Sequence, residues 1–169
     1  MEKSTALLID KMIMYNAPDI RRVNHAVKVL GMSAAIGVRE GVESGCMKLL
    51  EAAAVLHDIG IHKAEELYNS TAGSYQQKLG PEVAEPMLSE CGFTDEETER
   101  ICYLIAHHHT YGLKDDKILQ ILIEADFIVN IDEGNMFDGN KYESIYKKIF
   151  ETDTGKKYLN ALLSGKLGE

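Results

Sequence analysis

His57 and Asp58 stand side by side where an apolar run ends: Leu49-Leu50-Glu51-Ala52-Ala53-Ala54-Val55-Leu56-His57-Asp58-Ile59-Gly60. Leu50, Ala53, Ala54 and His57 recur at i, i+3, i+4 and i+7, so the imidazole closes the buried stripe of a helix. Gly60 then offers a left-handed turn out of that helix. An imidazole and a carboxylate at the inner end of a core helix are costly to bury unless something pairs with them, and a divalent cation pairs with both. A lone His-Asp dipeptide is often no more than a capped helix end, so the weight rests on three further positions. His25 falls on a helical run with two apolar stripes, Ile20, Val23, Val27, Leu30 and Ala34 on one and Val29, Met32 and Ile36 beside His25 on the other. His108 follows Ile101, Leu104 and Ile105 at the same i, i+3, i+4, i+7 spacing, and Asp126 follows Leu119, Leu122 and Ile123. A buried aspartate without a partner is rare, which makes Asp126 the sharper signal.

His25, His57, Asp58 and Asp126 form a mixed nitrogen and oxygen set. Such a set suits Mn, Fe, Co, Ni or Zn better than Ca or Mg. We therefore expect one divalent transition metal on these four residues, with coordination positions left for water and substrate. A metal-bound water is a nucleophile at neutral pH. Asp58 or His108 would accept its proton. Arg22, one helical turn before His25, together with Lys63 and Lys78, are the candidates for neutralising a phosphoryl group. His62 lies in the polar stretch where substrate contacts would sit, and of the three consecutive histidines His108 should face inward, with His107 or His109 beside it able to reach the cleft. The glycine-rich stretch from Gly37 to Gly45 has no Gly-Lys-Ser/Thr, so it reads as a connection rather than a phosphate loop.

Helices must position these groups. The chain has 169 residues, 45% hydrophobic and 27% charged, a globular balance with no strand-like alternation. We expect one all-α domain over residues 1–169, a bundle of about seven or eight helices. Its core would span roughly 20–132, with C-terminal helices from 140–165 packed on it. The expected helices cover residues 4–15, 19–37, 46–58, 81–91, 95–109, 117–131 and 141–150. A last helix would be capped by Thr154 and end near Leu163. Pro18 and Asp19 open the second helix, and Pro86 should kink or shorten the fourth. Thr94 and Glu97 form a capping box ahead of the fifth. Ile59 to Gly80 reads as a polar, irregular loop, Tyr111 to Asp116 as a turn with aspartate caps, and 132–139 as a loop.

A net charge of −9 argues against a nucleic-acid binder but leaves room for a small phosphorylated substrate, because a cation reverses the field inside a cleft. Cys46, Cys91 and Cys102 form no Cys-x-x-Cys pair and read as reduced thiols, which suggests a cytoplasmic protein. No leader-like segment opens the sequence, and no apolar run approaches the roughly 18 residues of a membrane span. Met12, Met14 and Tyr15 on the first helix are candidates for a homodimer contact.

The ordered set His25, His57-Asp58 and Asp126, with His57-Asp58 continuing into Ile59-Gly60, resembles the HD-domain superfamily of metal-dependent phosphohydrolases. The resemblance covers roughly residues 20–132. It implies a helical fold, the four residues as metal ligands, and hydrolysis of a phosphate ester or nucleotide. Asp58 would bridge two metals or align the attacking water. Relatives with two metals carry a histidine just before a Pro-Glu-hydrophobic-Gly/Ala run. Here that run is Pro81-Glu82-Val83-Ala84, preceded by Gly80, while the other histidine such relatives carry falls in the His107-His108 region. The resemblance thus implies a half-built second site that water or His62 would complete, and one metal is expected. The lysine that often follows the signature glycine is replaced by Ile61, with His62 and Lys63 displaced along the chain. Two other classes compete. An oxidative enzyme using two irons and oxygen needs the fuller ligand set. A non-catalytic module would bind a nucleotide or a partner protein through the same cleft, and the complete quartet argues against it.

Overall fold

A computed structural model describes residues 1–113, 116–133 and 142–163, with the side chains of all of these except 132 and 142–145. The described residues form helices α1 (Lys3–Asn16), α2 (Ile20–Arg39), α3 (Ser44–Leu56), α4 (Ile61–Tyr68), α5 (Gly73–Glu90), α6 (Asp95–His107), α7 (Lys117–Glu133), α8 (Tyr142–Ile149) and α9 (Asp153–Leu163). There is no strand among them. The all-α expectation is met. None of the described helices is long and apolar enough to cross a membrane.

The central helix is α7, where Leu119, Ile121, Leu122, Ile123 and Ala125 are all buried. A helix buried almost all round must be wrapped by its neighbours, and α7 packs against α2, α3, α6 and α9. The two apolar stripes read from the sequence suggested such a central place for α2. Instead α2 buries one face only, through His25, Ala26, Val29, Ser33, Ile36 and Gly37, while Ile20 and Val27 are 73% and 47% exposed. Helix α3 supplies Leu50, Ala52, Ala53, Ala54 and Leu56 to the core, so its inner end carries His57 into the interior.

Local chemistry sets several helix starts. Asp19 accepts from the Arg22 amide at 3.1 Å and caps α2, which leaves Pro18 outside the helix. The expected capping box is present: Glu97 N donates to Thr94 Oγ1 at 3.2 Å and Thr94 N to Glu97 Oε2 at 3.0 Å. Asp116 caps α7 by accepting from Leu119 N at 3.1 Å. The cap of α9 is Thr152 rather than Thr154, since Gly155 N donates to Thr152 Oγ1 at 2.9 Å. Thr154 N is turned instead to Glu40 Oε1, 2.9 Å away.

The stretch expected to be a loop after Ile59 is helical. Helix α4 is eight residues long with only Ile61 and Ala64 buried, too little for periodicity to reveal. Helix α5 begins at Gly73 and runs through both Pro81 and Pro86 without stopping. Each proline forfeits a backbone bond, but α4 and α6 pack along α5 and hold it. Residues 132 and 133 extend α7 rather than opening a loop. Lys114, Asp115, the rest of the 132–139 segment, Lys141 and the side chains of 142–145 lie outside the described residues. Met12 is 1% exposed and so is withdrawn from the proposed dimer face, whereas Met14 is 76% exposed.

Candidate metal centre

Helix α2 packs along α3 and α7, which brings the three segments bearing His25, His57-Asp58 and Asp126 to one point. His25 Nε2 lies 3.1 Å from both His57 Nε2 and Asp126 Oδ1. His57 Nε2 is 3.4 Å from Asp126 Oδ1 and 3.5 Å from Asp58 Oδ2, and His25 Nε2 is 3.6 Å from Asp58 Oδ2. Ligand atoms bound at about 2.1 Å to one ion sit roughly 3.0–3.4 Å apart. The cluster therefore has the dimensions of a metal site.

The far side of each ring fixes which nitrogen faces the cluster. His57 Nδ1 donates to Ala54 O at 2.8 Å, and His25 Nδ1 donates to Glu133 Oε2 at 2.8 Å. In the neutral rings both Nε2 atoms then carry lone pairs and point at each other, an arrangement that asks for a cation between them. Burial disfavours charge on His57, but Asp58 and Asp126 outweigh it and raise its pKa to about 9. His25 is also raised against its burial, first by the bond to Asp126. Burial opposes ionisation of Asp58 as well, yet His57 and His108 beside it bring its pKa down to about 2. Asp126 is held far below the ordinary carboxylate range, its burial outweighed by His25 and His57. Asn130 Nδ2 donates to Asp126 Oδ1 at 2.7 Å and fixes that carboxylate.

A second group shares Asp58. One ligand atom each from Asp58, His108 and His109 lie within 4.8 Å of one another. His108 Nδ1 donates to Ile105 O at 2.7 Å, so its Nε2 points inward, 3.6 Å from Asp58 Oδ1. That Nε2 is buried and has no hydrogen-bond partner among the described residues. An orphaned, fully buried imidazole nitrogen aimed at a carboxylate fits a missing cation. His109 was not singled out from the sequence. Gln76 Nε2 donates to Thr71 O at 2.8 Å, which turns Gln76 Oε1 toward His109 Nε2 at 3.1 Å and leaves the Nδ1 lone pair of His109 unprotonated. Burial, then His108, lowers the His109 pKa to about 4, so the ring is neutral at pH 7. The second set is thus fuller than Gly80 suggested.

Other expected site residues stand elsewhere. His107 stacks on Tyr103 at 4.1 Å and donates Nδ1 to Tyr103 O, turned away from the cluster. His62 accepts from Arg22 Nη1 at 2.8 Å and packs edge-on against Tyr15. Lys63 pairs with Glu82 at 2.6 Å, and Lys78 is exposed on α5. Neither lysine reaches the cluster, because α4 and α5 are helices that carry them outward. A cleft of about 390 Å³ opens over the centre, with His25, Asp58, Arg21, Arg22, Gln76 and Glu133 among its walls. Asp58 is the most accessible of the quartet, its side chain 27% exposed.

An all-helical domain with a convergent His/Asp cluster at the foot of a cleft is a domain built to be able to hold a divalent metal. The chain belongs to the HD domain family, whose family model matches residues 22–131. No curated protein and no solved structure matches it.

Proposed function

We propose that this protein is a metal-dependent phosphohydrolase acting on a small phosphate ester or nucleotide. The observation that carries the reading is the convergence of His25, His57, Asp58 and Asp126 beneath a cleft that also presents Arg21 and Arg22. A divalent metal held there would supply Lewis acidity and a water of lowered pKa. Asp58, at the cleft floor and ionised at neutral pH, would orient that water and accept its proton. Asn130 and Glu133 would hold Asp126 and His25 in place. Arg21 would meet the phosphoryl group from the cleft wall. Among Mn, Fe, Co, Ni and Zn the donor set makes no sharp choice.

The Asp58, His108 and His109 group favours a second reading, an oxidative enzyme with two irons, since it removes the objection drawn from Gly80. One experiment separates the two. The protein is loaded in turn with Mn, Fe, Co, Ni and Zn and assayed against nucleotides and sugar phosphates, with Asp58→Ala as control. Phosphate release that falls on the order of 10²–10⁴-fold in the variant supports the hydrolase. No release with any metal, together with two irons per chain and oxygen consumption, supports the oxidative enzyme instead.

A further inference from the structure

We infer that Glu133 is a positioning residue for His25, fixing its tautomer and aim toward a bound metal. The inference rests on His25 being a ligand and not on which reaction follows. Asp126, Asn130 and Glu133 fall at i, i+4 and i+7 on one face of α7, and Asn130 and Glu133 line the cleft beside His25. Asp126 contacts His25 directly at 3.1 Å, and Asn130 braces Asp126 at 2.7 Å. Glu133, a turn further on, takes the opposite side of the same imidazole, its Oε2 2.8 Å from His25 Nδ1.

The two oxygens of Glu133 have separate tasks. Oε1 receives Lys28 Nζ at 2.6 Å, and Oε2 receives the His25 Nδ1 proton. Lys28 follows His25 by three residues, so α2 offers both groups to one carboxylate across the α2–α7 seam. Glu133 is mostly buried, its side chain 14% exposed, while the Lys28 side chain is 53% exposed. A carboxylate in this place does more than pair a surface lysine. With Nδ1–H committed to Glu133, the lone pair of the neutral ring must be on Nε2, the atom that faces His57 and Asp126. A carboxylate behind a ligating imidazole also raises its donor strength, and loss of such a partner costs metal affinity about 10–100-fold. His57 and His108 obtain the same tautomer from backbone carbonyls of Ala54 and Ile105. His25 sits mid-helix, where its own backbone is committed to α2, so a side chain from α7 fulfils that task.

The test is calorimetric titration of the metal-free full-length protein with Mn²⁺, and with Co²⁺ for its visible spectrum. Wild type, Glu133→Gln, Glu133→Ala and His57→Ala are compared. We expect roughly 10–100-fold weaker binding in Glu133→Ala and a smaller loss in Glu133→Gln, whose amide oxygen still accepts from Nδ1. His57→Ala should bind little metal. The ring Nδ1 proton resonance of His25 should be lost to exchange in Glu133→Ala and kept in Glu133→Gln. Unchanged Mn²⁺ affinity in a folded Glu133→Ala protein overturns the inference. A lower melting temperature with full affinity also overturns it, because that result means Glu133 only ties α7 to α2. If wild type itself takes up neither metal, His25 is no ligand and the inference falls together with the metal reading. Phosphatase activity plays no part in the readout.

Discussion

His25 Nε2 and His57 Nε2 lie 3.1 Å apart although each ring donates its Nδ1 proton elsewhere. Two neutral imidazoles cannot face each other this way without repulsion between lone pairs. Something positive must stand between them, and without metal that is a proton. Asp58 and Asp126 hold such a proton on His57 against its burial, raising its pKa to about 9 against an ordinary 6.5. The sign of the stability effect follows. A folded pKa above the unfolded one gives stability that is fully present below 6.5 and is lost as pH rises through about 9. Metal replaces the proton, so the loaded protein escapes the loss. The melting-temperature gain on metal addition, relative to chelator, should therefore grow from about pH 6 to about pH 9. Titration at neutral pH in buffers of different ionisation enthalpy should show proton release on metal uptake. A gain independent of pH would mean that His57 is neutral in the metal-free state.

Arg22, the arginine singled out by its spacing from His25, is fully engaged by protein. Its Nε is 3.3 Å from Asp19, its Nη1 2.8 Å from His62 and its Nη2 2.6 Å from Glu65. Arg21 is exposed on the same cleft and pairs with no acidic side chain among the described residues. A cation that contacts the ground and transition states alike changes KM rather than kcat. Under the phosphohydrolase reading, Arg21→Ala should raise KM roughly tenfold, the worth of one charge-assisted contact, with kcat little changed. Lys63→Ala and Lys78→Ala should leave both constants within about twofold, since neither lysine lines the cleft. Steady-state kinetics on any phosphate ester the enzyme accepts will decide. A lysine variant with the larger KM effect would contradict the placement of α4 and α5.

Behind the centre, Glu124 is 0% exposed and ties α9 to the central helix. Its Oε1 accepts from Gln120 Nε2 at 2.7 Å, Glu151 N at 2.6 Å and Thr152 N at 2.9 Å, and its Oε2 from Thr152 Oγ1. This carboxylate is satisfied only because Gly155 lets it in: a Cβ there would come within 1.9 Å of Oε2. Gly155→Ala must expel the carboxylate from its donors or push α9 aside. Leaving buried polar groups unpaired costs about 2–4 kcal/mol, a fall in melting temperature of roughly 5–15 °C for a chain of this size. Metal stoichiometry should be unchanged at low temperature, because the ligands lie on the other side of α7. Thermal denaturation followed by circular dichroism checks the first point and metal analysis the second.

The quartet was legible because His57 and Asp126 close apolar stripes, His25 opens one and Asp58 adjoins His57, and the 100° step of a helix says which way a stripe faces. That rule fails one turn past a helix end. Helix α6 stops at His107, so His109 swings toward Asp58 and His107 stays outside, an outcome hidden from periodicity. Asn130 and Glu133 were within reach of the same rule, at i+4 and i+7 from Asp126. Glu133 was missed because its acidic, glycine-containing surroundings read as a loop. Helix α4 left no periodic signal in eight residues. The commitment of Arg22 to His62 and Glu65 is tertiary, spanning some forty positions, and no local pattern carries it.

Gly60 shows a residue recognised for the wrong reason. The sequence suggested a left-handed turn, but Gly60 has φ −74° and ψ −10°, a conformation open to any residue. Space is what demands glycine there. A Cβ on Gly60 would lie 2.7 Å from Gly80 N, 2.8 Å from Gln76 O and 3.0 Å from Gly80 Cα. The turn carrying Asp58 thus rests directly on the backbone of α5. Gly80, where two-metal relatives would have histidine, is the other half of this contact, and its own Cβ would meet only Ile105 Cγ2, at 2.6 Å. Ile105 Cγ2 is a β-branched methyl on a fully buried residue of α6 and yields only if that side chain or α6 shifts, whereas the Gly60 contacts are with helix backbone. Gly60→Ala should therefore cost about 2–4 kcal/mol by moving α5 from the turn, and Gly80→Ala about 1–3 kcal/mol by displacing one buried side chain. Because Gln76 holds His109, and Asp58 is two residues from Gly60, Gly60→Ala should also weaken metal uptake by the folded protein. Urea denaturation of both variants, with calorimetric titration of Mn²⁺ into each, tests the pair. A Gly60→Ala protein as stable as the wild type would show that the approach of α5 to the Asp58 turn is not what keeps residue 60 without a side chain.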